Sequence, residues 1–409
     1  MMINSQGLVQ EFDAAPDVTF LFTGDLCPIY RLDAMLAQGR IDDAFGDTRD
    51  LFKRSDVNVI NLEAPLCSKE NPIDKLGPNF KSDPAVGNAL AEVPVHVACL
   101  ANNHIMDQGE PGLNETLDRL DEAGVNYVGA HRTDPDCGGV LEMTVNGVST
   151  ALINYGTAEG VIPRQGAGPT RLDAIPLRRV VENAASRCDA VIAIVHTGKE
   201  QVLFPAPGLI NLCRDLIDSG AAAVVCHHPH VPQGIEIYRD RPIAYSLGNF
   251  LFDWSSPEPE TDSSFLLEIG ICKDGASRVA IHPFLKNRAA GAVRLRGEKK
   301  QAFIRLINDL SVPLTDPADH LRLWEEQCRR YIHPFYTKRL ERGAFFAEAD
   351  PANQRKAALT FLNLLEREEH GEILRDGLML SVTGRDMPDT DAGTRLDDYM
   401  RQLKETALE

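Results

Sequence analysis

The densest chemistry in the chain lies in His227-His228-Pro229-His230, directly after the apolar run Val224-Val225-Cys226. Imidazoles two positions apart on an extended segment can converge on one metal ion, each keeping a ring nitrogen for a second partner. The pattern of an apolar run ending in a polar donor recurs along the chain. Asp25 follows the run 18–22, Glu63 closes 56–62, Asn103 and His104 follow 95–100, and His196 closes 189–195. Singly, each has an ordinary use as a turn residue, a solvated carboxylate, an Asx turn or a satisfied core histidine. Jointly, at the same edge of a sheet, Asp25, Glu63, Asn103, His196 and His228 predict a divalent-cation site. Carboxylate, amide and imidazole donors suit zinc or manganese, and an oxygen-weighted set suits calcium. The donor types alone do not choose among calcium, manganese and zinc.

Proton transfer is the second chemistry. His104 and Asp107 are three residues apart, within reach if the chain turns helical there. A carboxylate beside an imidazole orients the ring and raises its basicity, giving a general acid/base. The competing use of Asp107 is to cap the helix that follows. His230 or His228, with Asp253 or Asp25, would form a second pair. Two such pairs facing one carbon would remove a proton from one side and return it to the other. Lys75, Lys81, Arg164 and Arg171 fall in two polar loops, 67–84 and 156–171, expected to rim the site and to grip a substrate carboxylate. Trp254, in the loop 254–263, is a candidate lid.

These residues need a scaffold that brings strand ends together. β-branched runs alternate with helical spacings, and Leu113, Leu117 and Leu120 before Gly124 predict a capped helix. Asn146-Gly147 predicts a tight hairpin between 140–145 and 149–155, and a second hairpin is expected over 235–245. Residues 1–16 read as a loose lead-in. From about residue 298 the pattern becomes long helical runs. The expected architecture is α/β, two packed sheets covered by helices, with a catalytic domain over 1–297 and a helical extension over 298–409.

The bulk numbers narrow the function. At 409 residues the chain can hold a large α/β domain with an appendage. Its 42 basic and 60 acidic residues give a net charge of −18, which argues against nucleic acid or an anionic membrane as the main partner. Nine cysteines occur without a CxxC pair, as expected of reduced thiols in a reducing compartment. The first residues lack a basic stretch followed by a long apolar one, and no run is long enough to span a bilayer. The expected location is the cytoplasm.

Several stretches resemble one family. They are Thr23-Gly24-Asp25, Asn61-Leu62-Glu63-Ala64-Pro65, Ala101-Asn102-Asn103-His104 through Gly109, Val195-His196-Thr197-Gly198-Lys199-Glu200, His227 through Glu236, and Tyr245-Ser246-Leu247-Gly248-Asn249 through Asp253. Together they are similar to CapA-type proteins of poly-γ-glutamate capsule synthesis, within the calcineurin-like metallophosphoesterase fold. The resemblance covers roughly residues 18–285. It implies a four-layer α/β/β/α sandwich. It also implies metal positions at Asp25, Glu63, Asn103, His196, His228 and His230, with His104 as a proton donor outside the ligand set. Two departures stand out. Cys27 occupies a position where phosphoesterases of this fold carry a histidine, and Glu63 stands where they carry an aspartate. Both weaken the expectation of a tight two-metal clamp.

Some soluble relatives of this pattern act in ribosomal-peptide biosynthesis, inverting the Cα of a C-terminal residue in a lasso-peptide precursor. The resemblance and the His/Asp pairs together point to a metal-dependent peptide epimerase acting on a peptide or poly-amino-acid substrate, with His104, Asp107, His230 and Asp253 as the expected acid/base residues. The alternatives are a metal-dependent phosphoesterase and a non-catalytic partner in poly-γ-glutamate synthesis.

Overall fold

The computed structural model describes residues 2–11, 15–133, 139–160, 166–253, 262–273, 275–287, 291–332, 336, 338, 350–366 and 368–407. Arg164 and Trp254 lie outside the described residues. Labels follow chain order. The larger sheet contains β1 (Leu8–Glu11), β2 (Val18–Cys27), β3 (Val57–Leu62), β4 (Val97–Cys99), β5 (Asn126–Val128), β14 (Asn249–Phe252), β15 (Ser263–Cys272), β16 (Gly275–Asn287) and β17 (Gly291–Arg294). The smaller contains β7 (Val140–Val145), β8 (Val148–Gly156), β10 (Ala190–His196), β11 (Ala223–His227), β12 (Ile235–Tyr238) and β13 (Arg241–Ala244). A two-stranded ribbon joins β6 (Ala130–His131) to β9 (Gly168–Pro169).

The larger sheet runs β1-β16-β15-β2-β3-β4-β5, and the smaller runs β12-β13-β11-β10-β8-β7. Neighbours from β2 to β5 are parallel, as are β8, β10, β11 and β13. Each parallel block therefore gathers its carboxyl ends along one edge, where α/β sheets place their ligands.

Alternation along the strands builds three cores. Phe20, Phe22, Val57, Val59, Ile192, Ile194 and Val225 pack between the sheets. Their neighbours Leu21, Ile60 and Ala98 face the opposite way, onto helices that include Val86–Glu92 and Gly109–Ala123. On the outer face of the smaller sheet, Ala193, Val224 and Cys226 pack under the helices Ala174–Ala185 and Pro207–Asp218. The result is the α/β/β/α sandwich expected from the sequence. Both faces of its parallel strands are buried, so the strands read as continuous apolar runs. Truncating a buried isoleucine such as Ile194 to alanine would cost about 2–5 kcal/mol.

Both predicted hairpins form, at β7–β8 and β12–β13. Asn146 and Gly147 take φ of 52° and 80°, the mirror-image turn that matches strand twist. The loose lead-in does not hold. β1 pairs antiparallel with β16, and Ile3 is buried with its N–H on Asn308 Oδ1 at 2.6 Å. The strand is four residues long and ends in Gln10 and Glu11, so its apolar signal is short. Its order comes from distant partners.

The helices Gly297–Ser311 and Thr390–Ala407 send Phe303, Ile307, Leu310, Leu396 and Leu403 into the core shared by the two sheets. Pro317–Tyr331 and Glu368–Val382 form a satellite cluster in which Trp324, Ile373 and Leu380 cover Val202 and Ala206. Among the described residues, no helix is long and apolar enough to cross a membrane.

Candidate metal centre

Five strand ends deliver the site. β2 carries Asp25, Glu63 follows β3, Asn103 and His104 follow β4, β10 ends at His196, and the loop after β11 carries His228 and His230. β2 approaches the segment before β14 so closely that a Cβ on Gly24 would sit 1.9 Å from the Gly248 carbonyl oxygen. The Asp25 N–H donates to that same oxygen at 3.0 Å. His228 and His230 flank Pro229 with φ of 103° and 60°. Positive φ on residues other than glycine costs on the order of 1–3 kcal/mol and persists only where the surroundings over-determine it.

Three overlapping triads of ligand atoms result, each within 4.8 Å: Glu63/His196/His228, Asp25/Glu63/His230 and Glu200/His228/His230. His196 Nε2 lies 2.9 Å from Asn103 Oδ1, 3.1 Å from His228 Nδ1 and 3.4 Å from Glu63 Oε1. Asp25, Glu63, Asn103, His196, His228 and His230 are all buried. The structure thus brings together every residue read from the sequence as a metal donor.

Three neighbours were missed. Glu200 stands four residues beyond His196, on a loop whose path the sequence does not reveal. Asn61 Nδ2 donates to Asp25 Oδ1 at 2.9 Å and lies 3.2 Å from His196 Nδ1. His227 Nδ1 sits 3.2 Å from Asp25 Oδ1. For His227, the signal was its place at the head of the three-histidine run.

Glu63 tests whether a cation fits. Its side chain is fully buried, and neither carboxylate oxygen accepts a hydrogen bond among the described residues. Burial and the nearby Asp25 charge push its pKa well above the usual carboxylate range. An unpaired buried carboxylate is costly. A divalent ion held by Glu63 with Asp25, His196, His228 or His230 would remove that cost, so the donor set fits one. Burial opposes charge on Asp25 as well, but bonds from His227 and His230 outweigh it and hold that carboxyl well below the ordinary range. Burial also keeps His196 well below its ordinary pKa, leaving a neutral ring suited to ligation.

His104 Nδ1 lies 2.7 Å from Asp107 Oδ2, which also accepts the Phe80 N–H at 2.6 Å. Asp107 does not cap the following helix. That place is held by Gln108, with no side-chain cap. Lys75 Nζ bonds Asp107 Oδ1 and lies 3.1 Å from His104 Nδ1. Burial and the Lys75 charge lower the His104 pKa against the pull of Asp107. With Nδ1–H donating to Asp107, Nε2 keeps its lone pair.

The second pair is His230 with Asp25. His230 Nδ1 sits 3.2 Å from Asp25 Oδ2 and 2.9 Å from Asn249 Oδ1. Burial opposes charge on the ring, but Glu63, Asp25 and Glu200 together raise its pKa to about 9. Asp253, the other partner considered for His230, instead accepts from Arg31 Nε at 2.8 Å and Nη2 at 3.3 Å. Phe80 and Phe252 link the two histidines. Phe80 stacks on His104 with centroids 4.3 Å apart, Phe252 meets His230 edge-on at 5.1 Å, and the two phenyl rings meet at 5.9 Å. Cys27 joins this wall and lies 3.3 Å from the Glu63 carbonyl oxygen; burial first, then the acidic neighbours, push its thiol pKa well up.

Of the residues expected to rim the site, Lys75 is turned away from solvent. Its side chain is fully buried, with Asp107 and Glu159 both facing the ammonium. Lys81 is half-buried, with its charge felt at Asp33 and Cys67. Arg171 is exposed, on a segment bridged to Gly156. The stretch after His196 forms one wall of a cavity of about 210 Å³, where Thr197, Gly198 and Lys199 face Leu209, Trp324 and Glu372.

Residues 19–254, more than half of the chain, match the family described as bacterial capsule synthesis protein PGA_cap. The chain belongs to this family. It is 26% identical over 307 residues to the capsule biosynthesis protein CapA of Bacillus anthracis, covering 72% of this chain and 74% of the relative. It is 28% identical over 291 residues to the PGA biosynthesis protein CapA of Bacillus subtilis, covering 69% and 75% respectively. A probable polyglutamine synthesis accessory protein of Mycobacterium tuberculosis is 31% identical over 215 residues, 49% of this chain and 56% of that one. Among solved structures, a putative 5'-nucleotidase from Staphylococcus aureus aligns over 71% of this chain and 58% of its own, at 11% identity and a TM-score of 0.39.

Proposed function

We propose that this protein is a metal-dependent acid/base enzyme that inverts the Cα of a residue in a peptide, at or near the peptide's carboxyl end. The observation that carries the reading is the pair of imidazole–carboxylate couples, His104–Asp107 and His230–Asp25, joined through the Phe80–Phe252 wall beside the unsatisfied Glu63 carboxylate. Epimerisation needs one group to take the Cα proton and another to return one from the opposite face. A divalent cation bound here would stabilise the negative charge that develops on the neighbouring carbonyl oxygen. Asp107 holds the His104 ring by Nδ1, which leaves Nε2 as the atom that would exchange a proton with the substrate. Asp25 does the same for His230. Asn61 and Asn249 hold the second couple in place through bonds that carry no proton in the reaction.

The test is deuterium uptake at Cα when candidate peptides are incubated with metal-loaded protein in heavy water, read by mass spectrometry. His104→Gln and His230→Gln should each abolish inversion, and one of them should retain exchange without inversion. No exchange with any peptide or poly-amino acid would end the reading.

A second reading is metal-dependent phosphoester hydrolysis. It is favoured by the two triads that share Glu63, an arrangement able to hold two ions side by side. It predicts turnover of an aryl phosphate with manganese or zinc, lost in His104→Ala. The names of the Bacillus relatives favour a third, a partner in poly-γ-glutamate synthesis. It predicts that His196→Ala and His228→Ala variants fold and still bind the synthesis machinery.

A further inference from the structure

The helix Pro351–Glu366 lies on the loop that carries Lys75. Arg355 forms an ion pair with Asp74, and Asn363 Nδ2 donates to Glu159 Oε1 at 3.0 Å. The other Glu159 oxygen lies 3.7 Å from Lys75 Nζ, and Lys75 in turn bonds Asp107, the partner of His104. Five buried side chains thus run in contact from the C-terminal helix to the acid/base histidine.

Gln108 pins the two ends of the loop: its Oε1 accepts the Asn71 N–H at 2.6 Å and its Nε2 donates to the Phe80 carbonyl oxygen at 2.9 Å. Residues 71–80 contain no helix or strand. Around Lys75 itself the contacts are the Ile73 N–H on the Asp107 carbonyl at 3.1 Å, the Asn79 Nδ2 on the Ile73 carbonyl at 3.1 Å, the Phe80 N–H on Asp107 Oδ2, and close packing against 159–160. A Cβ on Gly77 would lie 3.2 Å from Glu159 Oε2, and one on Gly160 would lie 2.9 Å from Lys75 Cβ. Leu359 and Asn363 close the same small space from the helix side. Remove Glu159, and the Lys75 ammonium has one acidic partner in place of two. It then competes with His104 for Asp107.

We infer that Asn363 and Glu159 are positioning residues for His104, so that the C-terminal extension is a working part of the site although it lies beyond the family match at residue 254. The inference rests on His104–Asp107 being the acid/base couple. Asn363 fixes the Glu159 rotamer. Glu159 shares the Lys75 charge with Asp107. Asp107 then holds the imidazole ring in one orientation.

The test uses the full-length chain and two readouts that need no substrate. Lys75 acylation is followed by mass spectrometry against exposed Lys53 as an internal standard. The His104 ring nitrogens are followed by NMR, assigned by the loss of their signals in His104→Gln. Asn363→Ala and the isosteric Glu159→Gln should each speed Lys75 acylation about tenfold, the shift in local opening that follows loss of one charge-assisted bond. Both should move the His104 signals, and Asn363→Gln should return them toward wild type. Leu365→Ser, on the exposed face of the same helix, should change neither. Unchanged Lys75 labelling and unmoved His104 signals in folded Asn363→Ala and Glu159→Gln would overturn the inference. Because neither readout is an activity, failure of the epimerase reading leaves this test intact.

Discussion

Phe80 lies over His104 with the rings 30° apart, while its backbone N–H donates to the carboxylate that orients that same imidazole. One residue thus fixes both the tilt of the imidazole and the position of its carboxylate partner. Phe80→Leu keeps most of the volume and loses the stacking. It should melt within a few degrees of wild type yet slow Cα exchange on the order of a hundredfold, the penalty of a small misplacement at a reacting centre. Thermal melting and deuterium uptake on the same sample separate the two effects.

Glu63 is the residue on which the proposed metal binding turns. In chelator, Glu63→Gln should melt at or above the wild-type temperature, since it removes a buried carboxylate without a donor. Metal at about a hundred times its Kd should stabilise wild type by ~2.7 kcal/mol and the variant far less. Equal metal-induced shifts in both proteins would remove Glu63 from the ligand set.

Gly24 marks the place where two backbones meet. Gly24→Ala would drive a methyl group into the Gly248 carbonyl. We expect a loss at the upper end of ~1–3 kcal/mol in denaturant melts, with the Asp25 end of β2 displaced from β14. Loss of metal-induced stabilisation should accompany it.

Asp389 clamps the C-terminal helix bundle. It accepts from Arg322 Nε at 2.9 Å and from the Ala392 N–H at 3.1 Å. The Arg322 bond, first among the causes, pulls its pKa from 3.8 to about 2. A carboxyl with a depressed folded pKa contributes stability that is complete above its unfolded value and fades as the pH falls through the folded one. The Asp389 contribution should therefore disappear between pH 3.8 and about 2. Asn at this position should lower stability at neutral pH and flatten that part of the acid limb.

Much of the scaffold was legible because buried parallel strands leave unbroken apolar runs, and the polar residue closing each run is where the ligand site forms. Asp25, Glu63, His196 and His228 could be found that way. The contacts among side chains could not. Lys75 reads as a rim charge because a lysine in a polar loop is normally solvated, and only the fold shows two carboxylates facing it. Asp253 and Asp25 were equally available to His230 until the position of Arg31 was known. β1 was hidden by its length, and Asn363 by the 204 residues of chain between it and Glu159, the carboxylate it bonds.

The left-handed backbone at His228 and His230, with a proline between them, has a consequence for ion choice. If these histidines hold an ion as proposed, a loop fixed at such angles would have little room to adjust its grip to the ion's radius. Selectivity should then be set by main-chain angles as much as by donor chemistry, and replacing Pro229 with glycine should make the protein accept a wider range of cations, each bound more weakly.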